Sequence, residues 1–175
     1  MKLLVNLFGG PGTGKSTTAA GVFFHLKSNG VNSELLQEYA KDKTWQGDFF
    51  SLGVQPYIAA KQLYRQERVK NKVDVAITDG CLLNSLIYPC KYVDAAFTSW
   101  LINTHKTFPN LNIFIERNVD HHGYETSGRS QSLQQAIDVD IRTLALLNSL
   151  NEPYVKLKMS HNLVDEVLEL IYTRL

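Results

Sequence analysis

The chain has 175 residues, 18 Lys+Arg against 17 Asp+Glu, and a formal net charge of +1. Its 44% hydrophobic and 10% aromatic residues are a folding composition that excludes disorder as the main state, and no apolar run approaches the ~20 residues of a membrane span. The near-balanced charge gives no global pull toward nucleic acid or acidic lipid, and Cys81 and Cys90 alone make no disulfide framework. The expectation is one soluble, intracellular (cytoplasmic) domain over residues 1–175, without repeat, linker or signal peptide.

The predicted elements alternate along the chain. Residues 3–8 read as a buried strand stopping at Gly9, and 14–28 as a helix ended by Asn29-Gly30. A second strand is expected at 33–37. A long helical stretch follows from about 48 to 70, with Pro56 as a break or a fresh first turn. Residues 73–78 form a third strand ending at Asp79-Gly80, 95–105 a helix, and 112–116 a fourth strand. Residues 132–150 place Leu133, Ile137, Ile141, Leu144 and Leu147 on one helical stripe, with Ser132 and Gln135 spaced as a capping box. A fifth strand at 154–159 and a closing helix at 163–175 complete the series. Strand–helix alternation throughout predicts an α/β fold, a parallel sheet flanked by helices. Ligands of such sheets sit at the carboxyl ends of the strands.

The residues between the first strand and first helix, Gly9-Gly10-Pro11-Gly12-Thr13-Gly14-Lys15-Ser16, satisfy G-x-x-x-x-G-K-[ST]. The glycines let backbone N–H groups turn inward around phosphate oxygens, and the following helix adds its positive end. Gly10, Gly12, Thr13, Gly14, Lys15, Ser16 and Thr17 are the candidate nucleotide-binding residues. Lys15 is expected on the β- and γ-phosphates of ATP, and Ser16 on Mg²⁺. Asn71-Lys72-Val73-Asp74 matches the N-K-x-D base-reading pattern of GTPases, but it precedes its strand. It therefore belongs at the opposite edge of the sheet, about 15 Å from the phosphate loop, as a helix-to-strand turn.

Two acids end neighbouring strands. Glu38 follows the second, and Asp79 closes Val75-Ala76-Ile77-Thr78 as a Walker B acid does. Phosphoryl transfer to an alcohol needs a magnesium-anchoring carboxylate and a base at the hydroxyl. Asp79 is assigned to Mg²⁺ through water and Glu38 to the acceptor, with the two roles exchangeable at this level. Arg117 and Arg129 bracket a polar loop that reads as a lid over about 117–130, placing guanidinium groups on the transferring phosphoryl. His121-His122 is read as lid polarity, and His25, His105 and His161 as incidental. Tyr39, Trp45, Gln55 and Tyr57 are the substrate-binding candidates, aromatic faces and an amide for a nucleoside base. Cys81 and Cys90 are read as reduced structural thiols.

In its first half the chain resembles the P-loop kinases of nucleosides, most closely the ribosylnicotinamide kinase domain of NadR-type proteins. The likeness rests on residues 9–17, Glu38-Tyr39-Ala40-Lys41, residues 51–58, and residues 71–79. It implies a three-layer P-loop kinase fold with a five-stranded parallel sheet, ATP and Mg²⁺ as co-substrates, and a hydroxyl of a ribose-like acceptor. It also implies Glu38 and Asp79 as the acidic pair and Arg117 and Arg129 as lid groups. The loop at 159–162 would pass near the adenine in such kinases. Deoxynucleoside kinases are similar in their acid after the second strand, but they place an arginine and a serine where this chain has Gly80. Small kinases of this kind also occur in phages, some acting on hydroxymethylated pyrimidines in DNA.

Three functions follow, in order. The first is an ATP-dependent kinase of a small nucleoside or nucleotide. The second is a kinase acting on DNA or RNA, for which Lys41, Lys43, Lys61, Arg65, Arg68 and Lys70 are the clustered cations, with Glu67 among them. The third is a P-loop ATPase without a small acceptor.

Overall fold

The computed structural model describes residues 1–118 and 131–175. Its strands are β1 (Leu3–Phe8), β2 (Ser33–Leu36), β3 (Val75–Thr78), β4 (Asn110–Glu116) and β5 (Tyr154–Lys158). They form one sheet in the order β2-β3-β1-β4-β5, and every pairing is parallel. The helices are α1 (Lys15–Ser28), α2 (Tyr39–Trp45), α3 (Phe49–Leu52), α4 (Gln55–Glu67), α5 (Ala95–His105), α6 (Leu133–Ser149) and α7 (Leu163–Tyr172). A 3-10 turn spans Leu82–Leu86. This is the expected α/β architecture, a five-stranded parallel sheet between helical layers.

The layers follow from the period-two alternation of a strand buried on both faces. Leu3, Val5 and Leu7 of β1 pack with Val75, Ile77 and Ile113 against Val22 and Leu26 of α1 and Val167 and Ile171 of α7. The even residue Leu4 faces the other way, with Ala76, onto Ala59 of α4 and Leu101 of α5. Phe8 and Phe114 extend that second layer under Leu147 of α6. Because β1 is central, with β3 on one side and β4 on the other, the loop after Phe8 emerges in the middle of the sheet's carboxyl edge.

The helical stretch expected from about 48 to 70 breaks at Pro56, one of the two readings of that residue, and carries a fresh first turn there. Asp48 caps α3 by accepting from the Ser51 N–H at 3.1 Å, and Pro56 occupies the first turn of α4. A further helix, α2, precedes them. The capping box of Ser132 and Gln135 forms as read, but the apolar stripe behind it faces the core only at its far end, where Leu144 and Leu147 pack. The helix buries Ala136, Val139, Thr143 and Leu147, leaving Leu133 37% and Ile141 60% exposed. The reason is closeness: a Cβ on Gly10 would stand 2.4 Å from the Ala136 carbonyl oxygen. A face that approaches backbone so nearly takes small residues, and the larger ones rotate outward. Among the described residues no helix is long and apolar enough to cross a membrane.

Candidate functional site

The loop between β1 and α1 turns through left-handed backbone at Gly9 (φ 137°), Gly12 (φ 82°) and Gly14 (φ 88°), conformations that a Cβ would strain. Thr13 is buried, and its hydroxyl donates to the Gly10 carbonyl at 3.1 Å. Lys15 lies back over the loop, its ammonium donating to the carbonyls of Gly9 (2.7 Å) and Gly10 (2.9 Å). The first N–H groups of α1 have no intrahelical acceptor, so this end presents donors and a positive dipole to whatever the loop surrounds. The Ser16 hydroxyl accepts from the Lys41 ammonium at 3.3 Å.

A cavity of about 650 Å³ opens from this loop. Gly9, Pro11, Gly12, Gly14, Lys15, Ser16 and Thr17 line one end. Glu38, Trp45, Phe49, Gln55, Gln62, Asn84, Ser85, Tyr88 and Thr143 are among the residues around the rest. Of the loop residues singled out from the sequence, Gly10 and Thr13 do not line it: Thr13 is turned inward, and the Gly10 N–H donates to Asp140 Oδ1. Met159 packs instead against Gly14, where a Cβ would meet its sulfur at 2.7 Å.

Glu38 sits on extended backbone at the start of α2, half-buried in the cavity wall. Burial pushes its carboxyl up from 4.5 to about 7, against the downward pull of the Lys15 ammonium, and the charge of Asp79 adds to the rise. Asp79 does not line the cavity. It is 4% exposed at the end of β3, and its Oδ1 accepts from the Glu38 N–H at 2.9 Å. The two acids thus stand in series, Glu38 in front and Asp79 behind. Gly80 is what permits this, since a Cβ there would meet the Glu38 Cα at 2.7 Å.

Gln62 completes the wall, and the sequence reading missed it. Its Oε1 accepts from the Tyr39 N–H at 3.0 Å and its Nε2 donates to Thr78 Oγ1 at 3.2 Å, joining α4 to the strand end that carries Asp79. A signal existed: Gln55, Gln62 and Gln66 lie on the buried face of α4 beside Ile58 and Ala59, an unusual place for three amides.

The aromatic candidates divide. Trp45 and Gln55 line the cavity, while Tyr39 and Tyr57 do not. These two tyrosines pair edge to face at 5.7 Å and share a hydrogen bond between their hydroxyls. The Arg65 guanidinium lies 5.2 Å from the Tyr39 ring, and Lys61 lies 5.5 Å from Tyr57. Of the basic cluster, Lys43 pairs with Asp48 (3.2 Å), Arg65 with Asp42, and Lys70 with Glu67 (3.1 Å). Much of it is therefore a neutralised face.

Arg117 is also placed differently from the expectation. It stands just past β4 and does not line the cavity. Its Nε donates to Asp140 Oδ2 and its Nη2 to the Pro11 carbonyl, each at 2.8 Å, so it bears on the outside of the phosphate loop. Arg129, His121, His122 and all but the first two residues of the expected lid (117–130) lie outside the described residues. Asn71-Lys72-Val73-Asp74 is at the amino edge of the sheet as expected: the Asp74 carbonyl accepts from the Leu3 N–H at 3.1 Å, where β1 and β3 begin.

Both cysteines are free thiols. Burial pushes Cys81 well above its ordinary value, which disqualifies it as a nucleophile. Among the described residues no three of His, Cys, Asp and Glu gather as a metal cage. What the site does offer is hard oxygen, the Ser16 hydroxyl and the carboxylates of Glu38 and Asp79. That donor set suits Mg²⁺, which keeps several waters and binds through one or two carboxylates plus substrate phosphates.

Against this geometry, a family model described as "AAA domain" matches residues 4–163, from β1 to the first residue of α7. No curated protein matches the chain.

Proposed function

The chain belongs to the AAA-domain family of P-loop nucleotide-binding proteins, and from that premise we propose an ATP- and Mg²⁺-dependent kinase that transfers the γ-phosphoryl group to a hydroxyl of a small nucleoside or nucleotide. The observation that carries this reading is Glu38: a carboxyl raised to about 7, in the wall of a cavity large enough for a second substrate, beside the phosphate-loop lysine. A base tuned near working pH is what proton removal from an acceptor alcohol requires.

In this reading Glu38 accepts the proton of the acceptor hydroxyl, whose oxygen bonds to the γ-phosphorus as the bond to the ADP oxygen breaks. Lys15 and the first amides of α1 hold the phosphates and meet the charge that develops on them. Ser16, and Asp79 through water, would hold Mg²⁺, which when bound would supply positive charge against that of the phosphates. Trp45 supplies a face for the base and Gln55 an amide for its edge. Among the described lining residues the cations are Lys15 and Lys41, both at the phosphate end, and the distal wall of Trp45, Phe49, Asn84 and Tyr88 is uncharged. This supports an acceptor that brings no phosphate of its own, ribosylnicotinamide-like or of the deoxynucleoside type.

A polymer acceptor is the second reading. The observation that favours it is the aromatic rim, with Trp45 66%, Phe49 62% and Phe50 84% exposed, since exposed rings beside cations stack single-stranded bases. The test is ADP release from Mg·ATP with acceptors added singly: ribosylnicotinamide, nucleosides, deoxynucleosides, monophosphates, and an oligonucleotide carrying hydroxymethylpyrimidines. Acceptor-dependent ADP that vanishes with Lys15→Ala is expected. Steady ADP release indifferent to every acceptor overturns the kinase and leaves an ATPase.

A further inference from the structure

The outer side of the phosphate loop is gripped by two side chains that the phosphoryl-transfer chemistry does not require. Asp140 of α6 accepts the Gly10 N–H on Oδ1 and the Arg117 Nε–H on Oδ2, and Arg117 returns through Nη2 to the Pro11 carbonyl. The ring is closed: one carboxylate holds a loop N–H, one guanidinium holds the next residue's C=O, and the two hold each other. Both side chains are largely removed from water, Arg117 10% and Asp140 13% exposed. Gly10 has no room for a Cβ, with the Ala136 carbonyl 2.4 Å and the Asp140 carboxylate 2.8 Å from where it would stand.

We propose that Asp140 and Arg117 are positioning residues that set the first turn of the phosphate loop, so that the grip of α6 on Gly10 and Pro11 determines how well the loop holds a nucleotide. Three observations converge. The grip falls on the loop's backbone, so it constrains the turn between Gly9 and Gly12 from outside, as Thr13 and Lys15 do from within through the Gly9 and Gly10 carbonyls. It takes up the Gly10 N–H, which assigns the phosphate cradle to the amides that follow, from Gly12 into α1. And it turns the Arg117 guanidinium away from the cavity that Lys15 lines, so Arg117 acts on the loop and not on the transferring phosphoryl group. Without the carboxylate, the Arg117 Nε–H and the buried Gly10 N–H would both lose their acceptor, and the loop would relax toward water to satisfy them. Each hydrogen bond to a charged group that the loop loses weakens what it holds by about tenfold to a hundredfold.

The proposal rests on the loop's binding of nucleotide, which Lys15→Ala examines separately. Mg·ATP binding is measured by calorimetry on the whole protein, with thermal unfolding of each ligand-free variant alongside. Lys15→Ala should abolish binding; if it does not, the nucleotide reading itself fails. Asp140→Ala and Arg117→Ala should each raise the Kd about tenfold to a hundredfold, and the double variant should be no weaker than the weaker single one. Asp140→Asn, which keeps an oxygen for Gly10, should recover part of the loss. Arg117→Ala that lowers kcat with Kd unchanged would overturn the proposal in favour of a direct phosphoryl contact. Variants that lose thermal stability yet bind Mg·ATP as the parent does when folded would overturn it in favour of a merely structural ion pair.

Discussion

At the phosphate end of the cavity, the lining comes from one continuous run, residues 9–17, whose backbone does most of the binding. At the other end, where the proposed acceptor would sit, it is gathered from α2, α3, α4, the 3-10 turn and α6. The first end is a local solution. Positive-φ glycines, a lysine and a helix start place donors around an anion, and Asp140 and Arg117 bear on its first turn from outside. The second is a tertiary solution, in which a carboxyl acquires its character from what surrounds it. Glu38 is an ordinary solvated acid by sequence, and its carboxyl rises to about 7 only because burial strips it of water and the Asp79 charge stands behind it, against the pull of Lys15.

The largest expected effect tests whether the acceptor end holds the base. Glu38→Gln should lower kcat by about 10²–10⁴ with the KM for ATP nearly unchanged, and should flatten a pH profile that otherwise rises through about 7. The stability effect has the opposite sign. A carboxyl whose folded value lies above its unfolded one costs stability as pH climbs from 4.5 to about 7, because the native state then binds more protons. Glu38→Gln should therefore melt higher than the parent at pH 8 and no higher at pH 4, by calorimetry. Equal melting shifts at both pH values would show that the carboxyl is not held up by burial.

A smaller effect separates the aromatics. Trp45→Ala should raise the acceptor KM about tenfold, the cost of one lost stacking face, with the KM for ATP unmoved. Tyr57→Phe, which removes a hydroxyl outside the cavity, should leave both within about twofold. Steady-state kinetics with saturating co-substrate reads this directly, and a reversal of the two effects would move the acceptor out of the cavity and onto the Tyr39–Tyr57 face.

The smallest effect belongs to neither end and serves as the comparison's control. His105 is 1% exposed, and both ring nitrogens lack hydrogen-bond partners; Glu152 Oε2 lies 3.7 Å from Nε2. Burial holds the imidazole at about 4, below its ordinary 6.5, with the Lys106 charge pushing the same way. At neutral pH it is uncharged, so its contact with Glu152 is not an ion pair, and the buried carboxylate looks to Lys106 at 3.7 Å. The unfolded chain takes up this proton first. Stability is therefore full above pH 6.5 and falls as pH drops toward 4, by up to about 3 kcal/mol. His105→Leu should lessen that acid loss in equilibrium unfolding at pH 4.5 while turnover at pH 7.5 stays as it is. An unchanged acid slope would mean the imidazole is not held neutral.

The fold was legible because its signals are local. Apolar runs ended by glycine or acid, capping at Ser132 with Gln135, and helix-length spacers are read a few residues at a time, and they returned the strands and most helices. The site was legible in proportion to its locality. Residues 9–17 were found as a motif and Glu38 and Asp79 by their places at strand ends, whereas Gln62 was hidden in a helix and Asp140 in another. Tyr39 and Tyr57 shared the composition of a stacking site but turned elsewhere, because side-chain direction depends on which face α2 and α4 give to the sheet. The stripe from Leu133 to Leu147 misled in its first half for the same reason: hydrophobic spacing names a face, and the close approach of α6 to Gly10 buries Ala136 and Val139 there while Leu144 and Leu147 keep the expected place.

Sequence alone determined that this chain forms a parallel α/β sheet with a phosphate loop after its first strand, since both follow from period, glycine placement and the donors of a helix start. Tertiary structure decided which acid faces the cavity and which stands behind it, and that Arg117 grips the loop from outside. Burial and mutual distance set those outcomes, and both belong to residues far apart in the chain: Glu38 with Asp79, and Gly10 with Asp140.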